Sequence, residues 1–197
     1  MKQIKTILLS LVAVVGLVLV PVTAMAATDN ENTTINASIQ SVISVATSST
    51  VAISVTPVSG GSQTSASDTV TVNSNHAAGY ALTLSDSDAD TDLENGANSI
   101  AAHAGTQASP TALANNRWGY AVASIGGFDA SYSTITNATS SSSVWAGVPG
   151  TGSPNTIKST ATTASNDTTT VWYSVKADTT NPNGTYTDTV TYTATTN

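Results

Sequence analysis

Residues 70–86 read VTVNSNHAAGYALTLSD, and two runs of the same rhythm meet across a break. Val70 and Val72 alternate with Thr71 and Asn73, and Tyr80, Leu82 and Leu84 alternate with Ala81, Thr83 and Ser85. Successive side chains of an extended chain point to opposite faces, so each run lays an apolar stripe on one side and hydroxyls on the other. Residues 75–79 between them read as a hairpin connection, with Gly79 free to take positive φ.

The same period recurs along the chain. Val51, Ile53 and Val55 show it, as do Trp118, Tyr120 and Val122, and then Val171, Tyr173 and Val175. In the closing stretch NPNGTYTDTVTYTATTN (181–197) every odd position from 185 to 195 is threonine, opposite Tyr186, Asp188, Val190, Tyr192 and Ala194. Threonine's branched Cβ favours extended backbone while its hydroxyl stays hydrated. Gly60, Gly61 and the turn Asn181, Pro182, Asn183, Gly184 punctuate the runs. The expectation is an all-β fold: an antiparallel two-sheet β-sandwich, immunoglobulin-like, with long loops. Residues 86–116 depart from the period, and Ser109 before Pro110 predicts one short helical turn over 109–114. Residues 125–167 are rich in Gly, Ser and Thr and predict loops with weak strands around Tyr132 and Val144–Trp145.

The chain starts with Lys2 and Lys5, an apolar stretch from Ile7 to Val22, and Ala24, Met25 and Ala26. That order is a secretory signal peptide over 1–26, with an uncleaved membrane anchor as the alternative. A polar lead-in (27–38) and a single β-sandwich domain (39–197) follow. Without the leader, Arg117, Lys158 and Lys176 face twelve acidic side chains, three positive against twelve negative, a formal net charge of −9. Such a surface repels phosphate backbones and anionic lipid, which argues against nucleic acid and membrane partners, apart from the leader if it stays uncleaved. There is no cysteine, so an exported domain must be held by its core, and about 170 residues bury roughly 70% of their unfolded surface.

The densest candidate site is SDSDADTDLENG (85–96), where Asp86, Asp88, Asp90, Asp92 and Glu94 recur at every second residue. Hard oxygen donors on a loop with small spacers suit calcium. The EF-hand template fails, because its glycine and glutamate positions fall on Thr91 and Ala97, or on Leu93 and Ser99. A looser calcium loop and a solvated acidic loop at a sheet edge both remain. Beyond calcium the residues imply no cofactor. Trp172 shares its strand face with Ser174 and Lys176, and Trp145 sits in a Ser/Gly stretch; exposed, the two would stack sugar rings, making a carbohydrate-binding module. The alternative is that both faces of that strand are covered, or that Trp145 closes over it. His76 and His103 lie in separate loops with no nucleophile motif, so no catalytic residues are assigned and an enzyme is not expected. An internal bond from Lys176 to an asparagine on a neighbouring strand is a further option in a cysteine-free exported sandwich.

VTVNSNHAAGYALTLSD (70–86), NNRWGYAVA (115–123), TVWYSVKAD (170–178) and NPNGTYTDTVTYTAT (181–195) together resemble a loosely defined group of small exported bacterial surface proteins. The closing strand is similar to that of WxL-type wall-associated domains and of spore-coat-U-like sandwiches. The chain departs from the WxL pattern, with Tyr192, Thr193 and Ala194 where that family carries Trp-x-Leu, so peptidoglycan binding is not carried over. The resemblance implies location and architecture: a secreted or cell-surface protein of immunoglobulin-like fold. The function expected is non-enzymatic, with an adhesion or structural role and a cell-surface glycan or protein as partner. A carbohydrate-binding module is one alternative. The other is a pilus-like polymer subunit in which residues 28–38 pair with a neighbour's open sheet edge.

Overall fold

The computed structural model describes residues 27–136, 138, 139 and 143–197. The signal-peptide expectation falls on 1–26 and lies outside them. Residues 27–38 are exposed and carry no regular secondary structure. Ile39–Asn197 forms a compact unit that is mostly β, in multi-stranded and mainly antiparallel sheets.

Its strands are β1 (Ile43–Ala46), β2 (Ser62–Ser74), β3 (Tyr80–Asp86), β4 (Leu93–Asn95), β5 (Asn98–Ala102), β6 (Thr111–Ala112), β7 (Arg117–Val122), β8 (Val144–Trp145), β9 (Asn155–Ser159), β10 (Ala164–Ala177) and β11 (Val190–Thr196). Six of them form one sheet in the order β1-β2-β10-β7-β5-β4, three form a second in the order β11-β3-β9, and β6 pairs with β8. One pair departs from the antiparallel expectation: β5 runs parallel to β7, with Ala101 opposite Arg117.

Strand β10 organises the large sheet, with Tyr173 opposite Ala66 on β2 and Tyr120 on β7. Residues 171–175 are buried on both faces. Val171, Tyr173 and Val175 join Val70, Val72, Leu82 and Leu84 in the core, each fully buried aliphatic side chain contributing about 1.5–3 kcal/mol. On the opposite face the Trp172 Nε1 donates to the Tyr132 carbonyl at 2.9 Å, and the Ser174 hydroxyl donates to the Thr64 carbonyl at 2.9 Å.

In β11 the threonine face behaves as its alternation dictates. Thr191, Thr193 and Thr195 are exposed while Val190, Tyr192 and Ala194 are half-buried. Tyr192 sits opposite Leu84 and Ala194 opposite Leu82, so the tail's apolar stripe extends the face that β3 buries.

Several local expectations are corrected. Residues 75–79 are not a hairpin: β2 and β3 belong to different sheets, and the turn carries the chain from one to the other with Gly79 at φ 82°. The helical turn over 109–114 is replaced by β6, because Thr111 and Ala112 find strand partners in Trp145 and Val144. The helical turn falls instead at Ala130–Ser133, where the Asp129 side chain accepts from the Ser131 amide, so Tyr132 is not in a strand. Residues 93–102, read as loop, form the β4–β5 hairpin, turned by Gly96 at φ 63°. Val51, Ile53 and Val55 keep alternating burial but lie outside any strand.

Candidate functional site

Period-two alternation reserves one face of each strand for apolar side chains, and three aspartates stand on that face. Asp68 follows the register of Val70 and Val72 on β2 and is 3% exposed. Asp86 continues Tyr80, Leu82 and Leu84 on β3 and is 0% exposed. Asp188 precedes Val190 and Tyr192 on the same side of the neighbouring chain, half-buried. An acid at a core position costs several kcal/mol unless it is paired, solvated or neutralised, so each needs an account.

Asp68 has partners in full. It accepts from the Thr47 hydroxyl and, at 3.2 Å, from the Ser48 amide. Beside it the Tyr173 and Tyr192 hydroxyls meet at 2.6 Å. Burial raises the pKa of both phenols, and the Asp68 carboxylate raises them further. Asp68 therefore pins residues 47 and 48 to β2 at one end of a groove.

That groove encloses about 820 Å³. Residues from Thr47 to Pro57 wall one side, residues from Asn181 to Tyr192 the other, and Leu93, Ile100, Trp118, Tyr173 and Val175 line it between them. Val51, Ile53 and Val55 pack against the core there. Among the described residues, the main chain of 49–57 exchanges no backbone hydrogen bond with any strand. An apolar, strand-patterned segment thus forms one wall of the groove, packed on the core by its side chains and not by a backbone ladder.

Asp86 and Asp188 differ from Asp68. One oxygen of each is capped: Asp86 Oδ1 accepts from the Asp88 amide at 3.0 Å, and Asp188 Oδ1 from the Thr189 amide at 2.6 Å. The Oδ2 atoms of both are buried with no donor. The two carboxyls lie against each other. Burial, then the neighbouring Asp86 carboxyl, pushes the Asp188 pKa up to about 7.

The alternate acids of the calcium-loop expectation do not converge. Asp88 Oδ1 caps the Asp90 amide at 2.8 Å, Asp90 Oδ1 caps the Asp92 amide at 3.1 Å, and Asp92 Oδ2 accepts from Ser99 Oγ at 2.9 Å. Asp86, Asp88 and Asp90 thus each cap the amide two residues on, a local turn role that suits acids at every second position. Glu94 lies on β4, exchanging both main-chain hydrogen bonds with Thr187 at 2.9 Å. Asp88, Asp90, Asp92, Glu94 and Asp188 nevertheless line a common hollow of about 200 Å³. Among the described residues no three His, Asp or Glu side chains close on one point.

The sugar-stacking expectation for Trp172 and Trp145 is corrected. Trp172 is 6% exposed and its Nε1 donates to the Tyr132 carbonyl at 2.9 Å; Trp145 is 0% exposed. Both gather around Tyr132, whose ring meets Trp145 edge-on at 6.1 Å and whose hydroxyl donates to the Val144 carbonyl at 2.6 Å. The strand is covered on both faces, and neither indole offers a face to a sugar.

The remaining candidates sit apart. His103 is buried with its Nε2 2.8 Å from Thr111 Oγ1, and His76 lies in the turn between β2 and β3. Lys176 stands between Gln63 and Arg117 in register, so no asparagine faces it from either adjoining strand. Lys158 pairs with Asp167 at 2.5 Å, and Asp167 also accepts from the Tyr80 hydroxyl at 2.8 Å. Sequence reasoning passed over Asp68 and Asp188 as site residues, although both break an apolar stripe, a signal readable from alternation alone. Comparison of the chain with protein-family models, curated proteins and solved structures finds no match.

Proposed function

We propose that the chain is a non-enzymatic exported protein, secreted or displayed at the cell surface, with an adhesive and structural role. In this reading the domain is an immunoglobulin-like two-layer β-sandwich that acts by strand contact between copies. The observation that carries it is the groove segment: residues 49–57 bear a strand's apolar rhythm, yet their main chain is unpaired. A strand-patterned backbone whose amides and carbonyls are unused is suited to strand addition, where main-chain bonds give affinity and alternate pockets give specificity. Exchange of this segment with that of a second copy preserves every apolar contact, so it costs little at equilibrium and links copies head to tail or in pairs. The open edges of β1 and β11 offer places for the additional hydrogen bonds. The leader-like start of the sequence and the absence of cysteine support export. Burial of Trp172 and Trp145 removes the basis for a carbohydrate-binding module.

The test uses the full chain carrying Ile53→Asp, which weakens its own segment's hold on the groove, and a fluorescent peptide of residues 47–57 (TSSTVAISVTP). Saturable binding at micromolar peptide is expected by anisotropy, with no binding of the same peptide bearing the Ile53→Asp change. An Ile53→Asp protein that stays folded and ignores the native peptide overturns the proposal.

A further inference from the structure

We infer that the groove receives a strand from a second copy of the chain, residues 33–39 of its lead-in, so that copies join head to tail. The inference rests on the reading of the groove as a place of strand contact, and it names the strand that fills it. Each half of the contact is incomplete within one chain. On the acceptor side, Val51, Ile53 and Val55 on one wall and Tyr186, Val190 and Tyr192 on the other pack on the core yet are only half-buried. β11 ends its sheet, bonded to β3 alone. Residues 49–57 have no ladder among the described residues. Both walls therefore offer main chain to a strand laid between them.

On the donor side, Ile35, Ala37 and Ile39 alternate with Asn36, Ser38 and Gln40, the rhythm of a half-buried strand. Yet the segment carries no regular secondary structure, and Ile35 and Ile39 are 83% and 87% exposed. A lone apolar side chain at a surface is ordinary, but two in strand register, followed by exposed Val42 and Val45, make a stripe that water disfavours. Residues 32–42 carry no charge, so a domain of formal net charge −9 accepts them without repulsion. The place where the lead-in starts makes the occupant a second copy's. The Asn75 side chain accepts from the Val42 amide at 2.7 Å and donates to the Gln40 carbonyl at 2.8 Å. Asn75 follows Ser74, the partner of Ile43, whereas the groove begins at Thr47, past the other end of β1. A chain tied at 40 and 42 has no free residues there in which to turn back toward its own groove.

The experiment titrates a fluorescent peptide of residues 32–42 (NTTINASIQSV) with the full chain carrying Ile35→Asp and Ile39→Asp, whose own lead-in no longer competes. Both side chains are exposed, so the double variant is expected to melt with the parent. Saturable binding is expected by anisotropy, weakened at least about a hundredfold when the peptide bears both Asp changes. Because the chain has no cysteine, introduced thiols locate the contact. A short bis-maleimide is expected to join a chain with Ala37→Cys to one with Ser54→Cys, on the groove wall, and the yield to collapse when Ile35→Asp and Ile39→Asp are added to the first. A peptide that does not bind, or a cross-link that is absent or indifferent to the Asp pair, overturns the inference. If the 47–57 peptide still binds the Ile53→Asp chain in that case, exchange of the groove segment stands alone. Binding of the 32–42 peptide without binding of the 47–57 peptide supports the lead-in as the strand donor and removes segment exchange.

Discussion

At the scale of single residues, the molecule is held by buried polar atoms that have specific partners. Trp172 shows the pattern: its indole N–H donates to the Tyr132 carbonyl while its rings fill the space between β10 and the 3-10 turn. Trp172→Ala empties that space and is expected to cost about 3–5 kcal/mol, read as a lowered urea midpoint. His103 is 8% exposed, and burial lowers its pKa; the Thr111 hydrogen bond opposes the shift and nearby Arg117 adds to it. In the unfolded chain the imidazole takes its proton near about pH 6.5. The folded form resists until lower pH, so below that point the unfolded state binds more protons and stability falls as pH falls. Urea midpoints at pH 7.5 and 5.0 should therefore drop further for the parent than for His103→Gln. Equal drops would mean that the ring charges freely in the folded protein.

At the scale of elements, what distinguishes them is whether the main chain is paired. Strand β10 is bonded on both sides by β2 and β7 over residues 171–176, whereas 49–57 has no ladder at all. Amide exchange follows opening free energy, so amides of 171–175 should be among the slowest in the protein and those of 51–56 among the fastest. Mass-resolved exchange after peptic digestion measures both, and slow exchange across 51–56 would contradict the unpaired state. The turns between the sheets are equally specific. Gly79 has φ 82°, and an added Cβ there would lie 2.3 Å from the Thr160 carbonyl oxygen. Gly79→Ala should destabilise by more than about 1 kcal/mol, since both conformation and space oppose it.

At the scale of the whole molecule, the connections that pass between sheets decide which residues meet. The turn at 75–79 and the chain of 178–189 each carry the path from the six-stranded sheet to the three-stranded one. The second of these crossings puts Asp188 against Asp86 and frames the groove against residues 47–57.

Alternation by itself determined that the chain is β, which face of β2, β3 and β11 is the more buried, and that the tail's threonines meet water, because side-chain direction in an extended backbone is a local property. The acidic repeat at 86–94 was equally visible, but its use was not: turn-capping by Asp86, Asp88 and Asp90 is local, while the hollow shared with Asp188 depends on a residue about a hundred positions away. Pairing was the part only tertiary structure decided. Residues 51–55 have a strand's pattern and no ladder, and residues 75–79 have a hairpin's turn between strands that never pair. Trp172 has an outward register yet is covered by chain from about forty residues earlier. A hydrogen-bond ladder and the cover over a sheet are made by whatever the rest of the chain brings alongside, and no local pattern carries that information.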